Sequence, residues 1–344
     1  ENSLRRNGTA ENGRYHQKRE GMEGFHFLSF ALGEKRTDSM KKGFIVISCF
    51  LALVIAVCGA TWLSHFFIQN QTISVTNQNT SLKYRRILAI SPALQEIVMA
   101  LAQPEQIVAV SPSSKNSPIP EIAQVAEKVK GEVSEHPSTE EIVSLQPDIV
   151  LIPVVFSRDQ ADILTDMKLN VVSLGVPNSY SELKDRILLI AEKLGLSEKG
   201  RELTGRMDQK LALIQEKNKA IQTPKLVIAY SVNGAFGRKN GSFDNICREA
   251  GAINGGGVVN LKRGEHLSKE QVIQLDPDVI LCARSLKDSK LHQDILYDPA
   301  FQNIKAVKNH QVFLIEDRHL SSVTQSFVDA VEAVSRLVYP ELWE

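Results

Sequence analysis

Two stretches of this 344-residue chain repeat at an offset of 130 positions: residues 135–152 read EHPSTEEIVSLQPDIVLI, and residues 265–282 read EHLSKEQVIQLDPDVILC. Eight positions are identical, and at four more Ile and Val are exchanged. Each copy sets one glutamate, Glu140 or Glu270, in the first turn of a helix opened by Ser138 or Ser268, where a carboxylate meets the positive end of the helix dipole. Two roles are open to this pair. Both glutamates can simply favour helix starts, or each can stand out as an exposed knob that meets arginines of a two-fold-symmetric partner. A second set of chemistry-bearing residues lies where apolar runs end: Ser91, Phe156, Arg158, Tyr230, Asn233, Phe236, Arg284, Arg318 and His319. Parallel sheets bind ligands at the carboxyl ends of their strands, so these residues are expected to converge on one cleft. The three arginines suit an anionic ligand with carboxylates or catecholates, held by charge-assisted hydrogen bonds, although each alone reads equally well as a solvated surface charge. Phe156, Tyr230 and Phe236 supply flat surfaces, and Tyr230 or His319 is able to ligate a metal directly. His136 and His266, paired by the repeat, can approach the cleft mouth from both sides or serve local hydrogen bonds. Trp62 and Trp343 lie in an N-terminal apolar run and at the last turn, which excludes a pocket lined with indoles.

The elements that must position these groups are legible as short apolar runs alternating with amphipathic segments. Residues 87–90, 107–110, 149–152 and 171–174 form one series of expected buried strands, and residues 226–229, 279–282 and 312–315 form another. Strands separated by helices predict parallel sheets. Between the two series, Ser179 with Glu182 three residues later predicts a capping box opening a helix to Leu194, stopped by Gly195. A second helix is expected from about Glu198 to Ile221, with Leu203, Met207, Leu211, Ile214 and Ile221 on one face and Pro224 beyond it. At 1.5 Å per residue it spans about 36 Å, the length of a strut across a small domain. The expected architecture is therefore α/β. Two lobes, residues 85–196 and 223–344, each carry a central, mainly parallel sheet flanked by helices, and one long rigid helix (197–222) joins them.

Upstream, residues 1–39 are polar and aperiodic, and read as an unstructured extension outside the native chain, with translation expected to begin at Met40. Lys41 and Lys42 precede an uncharged run over residues 43–64, so residues 40–64 are a signal peptide or a membrane anchor. Cys58-Gly59 allows lipidation, although Val57 stands where a lipoprotein signal wants a small residue. Each alternative exports the remainder, and residues 65–84 form a polar tether. Forty basic residues balance forty acidic ones, which leaves no field to attract nucleic acid. No nucleophile motif, P-loop or GxGxxG after a strand appears, and Gly255-Gly256-Gly257 reads as a turn. No cysteine pattern has zinc spacing, and a Cys247 to Cys282 bridge is possible but unsupported.

Five segments in order resemble the class III periplasmic binding proteins that serve iron-siderophore, heme and cobalamin ABC importers. Residues 90–97 (ISPALQEI) look like that family's first strand and helix start. Residues 138–152 and 267–282 look like its paired S-x-E elements, one per lobe. Residues 250–254 (AGAIN) resemble its G-G-x-N turn, with Ala for the second Gly, and residues 305–313 resemble the approach to its last strand, with His310 for the usual Gly. The resemblance covers roughly residues 85–344. It implies a monomeric, membrane-tethered extracytoplasmic receptor with no catalytic residues, no cofactor and no metal site of its own. Such a receptor captures an iron or cobalt chelate and hands it to a permease homodimer with its ATPase subunits. Its lobe glutamates fall on Glu140 and Glu270, which favours docking for that pair. Two rivals share the architecture: a chelatase-like enzyme using His319 or His266 as a metal-handling base, and a membrane-anchored chelate sensor.

Overall fold

The computed structural model describes residues 83–284 and 290–344, and of residues 155–157 the backbone course alone. The expected signal or anchor, nearly all of the tether, Cys58, the side chain of Phe156, and the loop after Arg284 lie outside the described residues. Among the described residues no helix is long and apolar enough to cross a membrane.

The first half runs β1 (Ile87–Ala89), α1 (Pro92–Leu101), α2 (Pro112–Lys115), α3 (Pro120–Lys128), α4 (Thr139–Ser144), β2 (Ile149–Pro153), α5 (Val154–Asp166), β3 (Val171–Leu174), α6 (Tyr180–Leu194) and α7 (Ser197–Asn218). Its sheet is parallel, in the order β1-β2-β3, with Leu88 beside Val150 and Leu151 beside Val172. The fourth strand expected over residues 107–110 is reduced to single bridges, Ile87 to Ile107 and Val110 to Glu132. The segment meets a different neighbour at each end, and Pro112, lacking an N–H, starts a helix directly after it. A close backbone approach fixes this path, because a Cβ on Gly131 would lie 2.0 Å from the Val108 carbonyl oxygen.

The second half runs β4 (Leu226–Ser231), β5 (Gly234–Phe236), α8 (Ser242–Glu249), β6 (Ile253–Asn254), α9 (Gly255–Val258), α10 (Lys269–Leu275), β7 (Val279–Arg284), α11 (Leu291–Tyr297), α12 (Lys305–Lys308), β8 (Val312–Glu316), α13 (Arg318–Ser321) and α14 (Phe327–Val338). The three expected strands are present and parallel, in the order β4-β7-β8. Two short strands join them at the other edge of β4: β6, parallel, and β5, an antiparallel hairpin return. The hairpin turns through Val232 and Asn233, and Gly234 follows at φ 110, a conformation suited to glycine.

The repeat explains why the two sheets start alike. Ser138 and Ser268 cap α4 and α10 by accepting the N–H of Glu141 and Gln271, both at 3.2 Å. Ile142 and Val272 are fully buried beneath these helices. Each Pro-Asp turn then anchors its own strand to the first strand of its sheet. Asp148 Oδ2 accepts the N–H groups of Arg85 and Arg86 at 2.9 and 3.0 Å, and Asp278 Oδ2 accepts that of Leu226 at 2.8 Å.

Helix α6 is capped as expected by Ser179 and stopped by Gly195 at φ 75. Glu182, however, reaches back to the N–H of Asn178 at 2.7 Å, one residue beyond the position a capping box requires. Helix α7 buries Leu203, Met207, Leu211 and Ile214 and ends at Asn218, short of Ile221. It packs against α6, α1 and α14. Gly200 allows the closest approach, since a Cβ there would lie 2.4 Å from that of Ala191.

Candidate ligand-binding cleft

A cavity of about 330 Å³ opens where the segment after β3 meets the second sheet. Val176 and Pro177 form one wall. The end of β5 (Phe236, Gly237, Arg238), the start of α8 (Gly241, Ser242, Phe243), the turn over residues 262–266, and Val323 form the rest. Arg238, Lys262 and Arg263 bring three cations to this lining against one carboxylate, Glu265, with His266 beside them. Glu265 is engaged in closing its own turn, where Oε2 accepts the Lys262 N–H at 2.8 Å. Phe236 and Phe243 add two rings 6.0 Å apart, tilted by 55°. The lining thus suits a ligand that is negatively charged and partly flat.

Local chemistry fixes the cationic side. Asn254 Nδ2 donates to the Gly237 carbonyl at 2.6 Å and to Asp244 Oδ1 at 2.9 Å, while its Oδ1 accepts the Gly256 N–H at 3.1 Å. Gly237 sits at φ 126, and a Cβ on Gly256 would lie 2.4 Å from the Gly237 carbonyl oxygen. The glycines after Asn254 are therefore a packing surface against the strand end that carries Arg238. Across the cavity, Val323 belongs to the segment between α13 and α14. That segment is tied to α1, because Glu96 accepts hydrogen bonds from Thr324 Oγ1 at 2.5 Å and Ser326 Oγ at 2.6 Å. Burial pushes the Glu96 carboxyl upward, while the two hydroxyls and Arg318 oppose the rise.

Of the residues expected to converge, Phe236 lines this cavity. Ser91 is half-buried and caps α1, accepting the Leu94 N–H at 3.3 Å. Arg158 is exposed on α5, and Asn233 is exposed at the hairpin tip. Tyr230 turns into the core of the second sheet, 8 % exposed, with its ring edge-on to Phe301. Strand alternation is the reason: Ile228 and Tyr230 face one apolar cluster while Val227 and Ala229 face another. Burial raises the Tyr230 phenol to about 12, so it stays protonated at neutral pH.

Arg284, Arg318 and His319 gather instead at the ends of β7 and β8. Arg284 pairs in register with Glu316, and Arg318 Nε lies 2.5 Å from the Glu316 carboxylate, which holds that carboxyl below its usual range. Burial, followed by the charge of Arg318, lowers the His319 imidazole and keeps it neutral. Arg318 is thus already ion-paired, and this group does not line the cavity. His266 reaches the cavity, whereas its repeat mate His136 is exposed elsewhere. Cys247 and Cys282 are both free and buried in different apolar clusters, so the possible bridge does not form. Among the described residues no group of three or more His, Cys, Asp or Glu side chains forms a metal site.

The residues missed by sequence reasoning are Arg238, Lys262 and Arg263. Their signal was a basic run, Lys262-Arg263-Gly264, directly before the second repeat copy, and a basic pair, Arg238-Lys239, after a hairpin that the apolar pattern does not reveal.

The model of the periplasmic binding protein family matches residues 87–319. The chain belongs to this family. As a periplasmic binding protein it is a receptor rather than an enzyme, and the chelatase-like alternative falls. A curated relative, an uncharacterized ABC transporter substrate-binding lipoprotein, YvrC of Bacillus subtilis, is 24 % identical over 283 residues, covering 78 % of this chain and 85 % of its own. Among solved structures, the fold is similar to the periplasmic heme-binding protein RhuT from Roseiflexus sp. RS-1, at TM-score 0.64 and 21 % identity, covering 75 % of this chain and 99 % of that one. It is equally similar to the molybdate-binding protein MolA of Haemophilus influenzae, at TM-score 0.63 and 18 % identity, covering 76 % and 87 %. One scaffold therefore carries ligands as unlike as a porphyrin and an oxyanion, and the lining side chains decide between them.

Proposed function

We propose that this periplasmic binding protein is the substrate-binding component of an ABC importer and captures a metal chelate, a ferric siderophore, heme or cobalamin, in the cleft beside Phe236. The observation that carries this reading is the surplus of cations around the 330 Å³ cavity, Arg238, Lys262 and Arg263 against Glu265, beside two phenyl rings. A cavity of this size favours a compact chelate, and a larger one requires the two sheets to separate. The 22-residue α7, packed on helices from both halves, supports a small rotation rather than a wide hinge.

The test is a thermal-shift panel of hemin, cobalamin and ferric siderophores, in which one class alone raises the melting temperature. Charge-assisted hydrogen bonds contribute about 1.5–3 kcal/mol each, so Arg238→Gln should weaken the bound chelate by about tenfold or more. Chelate affinity unchanged in Arg238→Gln, or no response to any class, would refute the reading.

Delivery follows from the repeat. Glu140 and Glu270 are exposed at matching positions, and each carboxyl is held below its usual range by its own backbone N–H and by its capping serine, so both are ionised at neutral pH. A permease homodimer would meet one glutamate per lobe with one arginine per subunit. Glu140→Ala and Glu270→Ala should each reduce uptake, the double variant more so, while chelate affinity and melting temperature stay nearly unchanged. Loss of chelate binding in both single variants would instead move the glutamates into the cleft. The segment upstream of residue 85 tethers the receptor to the outer face of the membrane, and retention of the full chain in washed membranes tests this.

A further inference from the structure

Arg186 has a donor with nothing to give it to. It lies on α6, half-buried against the end of β3, and its Nε is buried with no hydrogen-bond partner. Its Nη1 makes one long bond, 3.3 Å, to the Gly175 carbonyl. Burial drives the guanidinium down to about 10, which leaves it charged at neutral pH. Two other half-buried cations are ion-paired: Lys210 lies 2.5 and 2.6 Å from Asp329 and Glu332, and Lys184 lies 2.7 Å from Asp208. Glu182, one turn earlier on α6, accepts the Asn178 N–H and its side-chain amide at 2.7 and 3.4 Å.

Arg186 lines a cavity of about 210 Å³ at the carboxyl end of β3, with Ser173 and Glu182 also on its wall. Val176 and Pro177 line both this cavity and the cleft, so the two adjoin. At Gly175 even a Cβ would meet no heavy atom within 4 Å, which leaves that rim open. A guanidinium whose Nε is unpartnered and whose Nη1 makes a single long bond to a carbonyl, in a side cavity that borders a ligand cleft, suits a planar two-oxygen anion.

We infer that Arg186 is the anchor of a second subsite, which takes a carboxylate arm of the ligand held in the cleft. The inference rests on the functional reading above for the ligand's identity as a metal chelate, but its geometry is independent of which chelate binds. It makes Arg186 a specificity-determining residue: ligands with a free carboxylate arm gain from it, and ligands of the same core without one do not.

The test uses the full chain, with succinate as the carboxylate probe and inorganic phosphate as the free-oxyanion probe, each titrated by thermal shift. Succinate should stabilise the wild type, Arg186→Gln should weaken it at least tenfold, and Arg186→Lys should recover part of the loss. Glu182→Gln, which removes the carboxylate lining the same cavity, should tighten succinate severalfold. The chelate selected by the panel should also bind at least tenfold more weakly to Arg186→Gln. Succinate binding equal in wild type and Arg186→Gln overturns the inference. So does an Arg186-dependent phosphate response with chelate affinity unchanged, which would make the cavity a free-anion site. If no chelate binds at all, the functional reading fails, while the succinate series still decides the subsite.

Discussion

Glu96 is the place where a single carboxylate holds α1 to the wall of the cleft, and its removal has a calculable cost. The carboxylate accepts hydrogen bonds from Thr324 and Ser326, Gln325 Nε2 donates to its backbone carbonyl at 3.2 Å, and Val323 beside them lines the cavity. Hydrogen bonds to a charged acceptor contribute about 1.5–3 kcal/mol each. Glu96→Ala loses two, but it also relieves the desolvation that dominates the environment of this group, so the net loss should be about 1–3 kcal/mol. At about 2–4 °C per kcal/mol for a chain of this size, melting followed by circular dichroism at pH 7 should fall by about 2–12 °C. The pH dependence has a definite sign. The folded carboxyl titrates above the unfolded one, so its protonation-linked stabilisation is complete below the unfolded value near 4.5 and is lost as pH rises through the raised folded value. Wild type should therefore lose stability relative to Glu96→Gln as pH rises from about 4, with the difference levelling off once the folded carboxyl is fully ionised. A flat difference between pH 4 and 8, or a melting temperature in Glu96→Ala within about 1 °C of wild type, would refute this account of the tie.

Three further outcomes can be checked. Gly237→Ala adds a Cβ 2.6 Å from Asn254 Oδ1 and 2.9 Å from Phe243 Cδ1 at a residue with φ 126, so urea denaturation should show a loss of about 2–5 kcal/mol, and chelate binding should weaken with it. Tyr339→Phe removes a hydroxyl that accepts the Lys225 N–H and donates to the Gly251 carbonyl, both at 2.8 Å, at a residue 2 % exposed. The same measurement should show a loss of about 1–3 kcal/mol without a change in ligand affinity. Burial raises the Cys247 thiol and takes that of Cys282 to about 12, so peptide mapping after native alkylation should find both sites modified at least about a hundredfold more slowly than in urea. Rapid native labelling of either would contradict their burial.

Local patterns along the chain were enough to specify the frame. Apolar runs marked six of the eight strands among the described residues, and the repeat marked both Ser-capped helices and both Pro-Asp turns, because caps, turns and buried strands are local signals carried by a few adjacent side chains. The repeat also pointed to Asp148 and Asp278, although only the fold revealed that each anchors its strand to the first strand of its sheet. The site was harder to read. Tyr230 and Arg318 stood at strand ends as expected, but strand alternation turned Tyr230 inward, and Arg318 found Glu316 two residues away. Arg238, Lys262 and Arg263 come from a hairpin return and a turn with no periodic signature. They line one cavity because Asn254 pins Gly237 and the segment after β3 closes the opposite wall. Arg186 shows the same division: its charge is in the sequence, but whether a guanidinium has a partner depends on which atoms surround it in three dimensions.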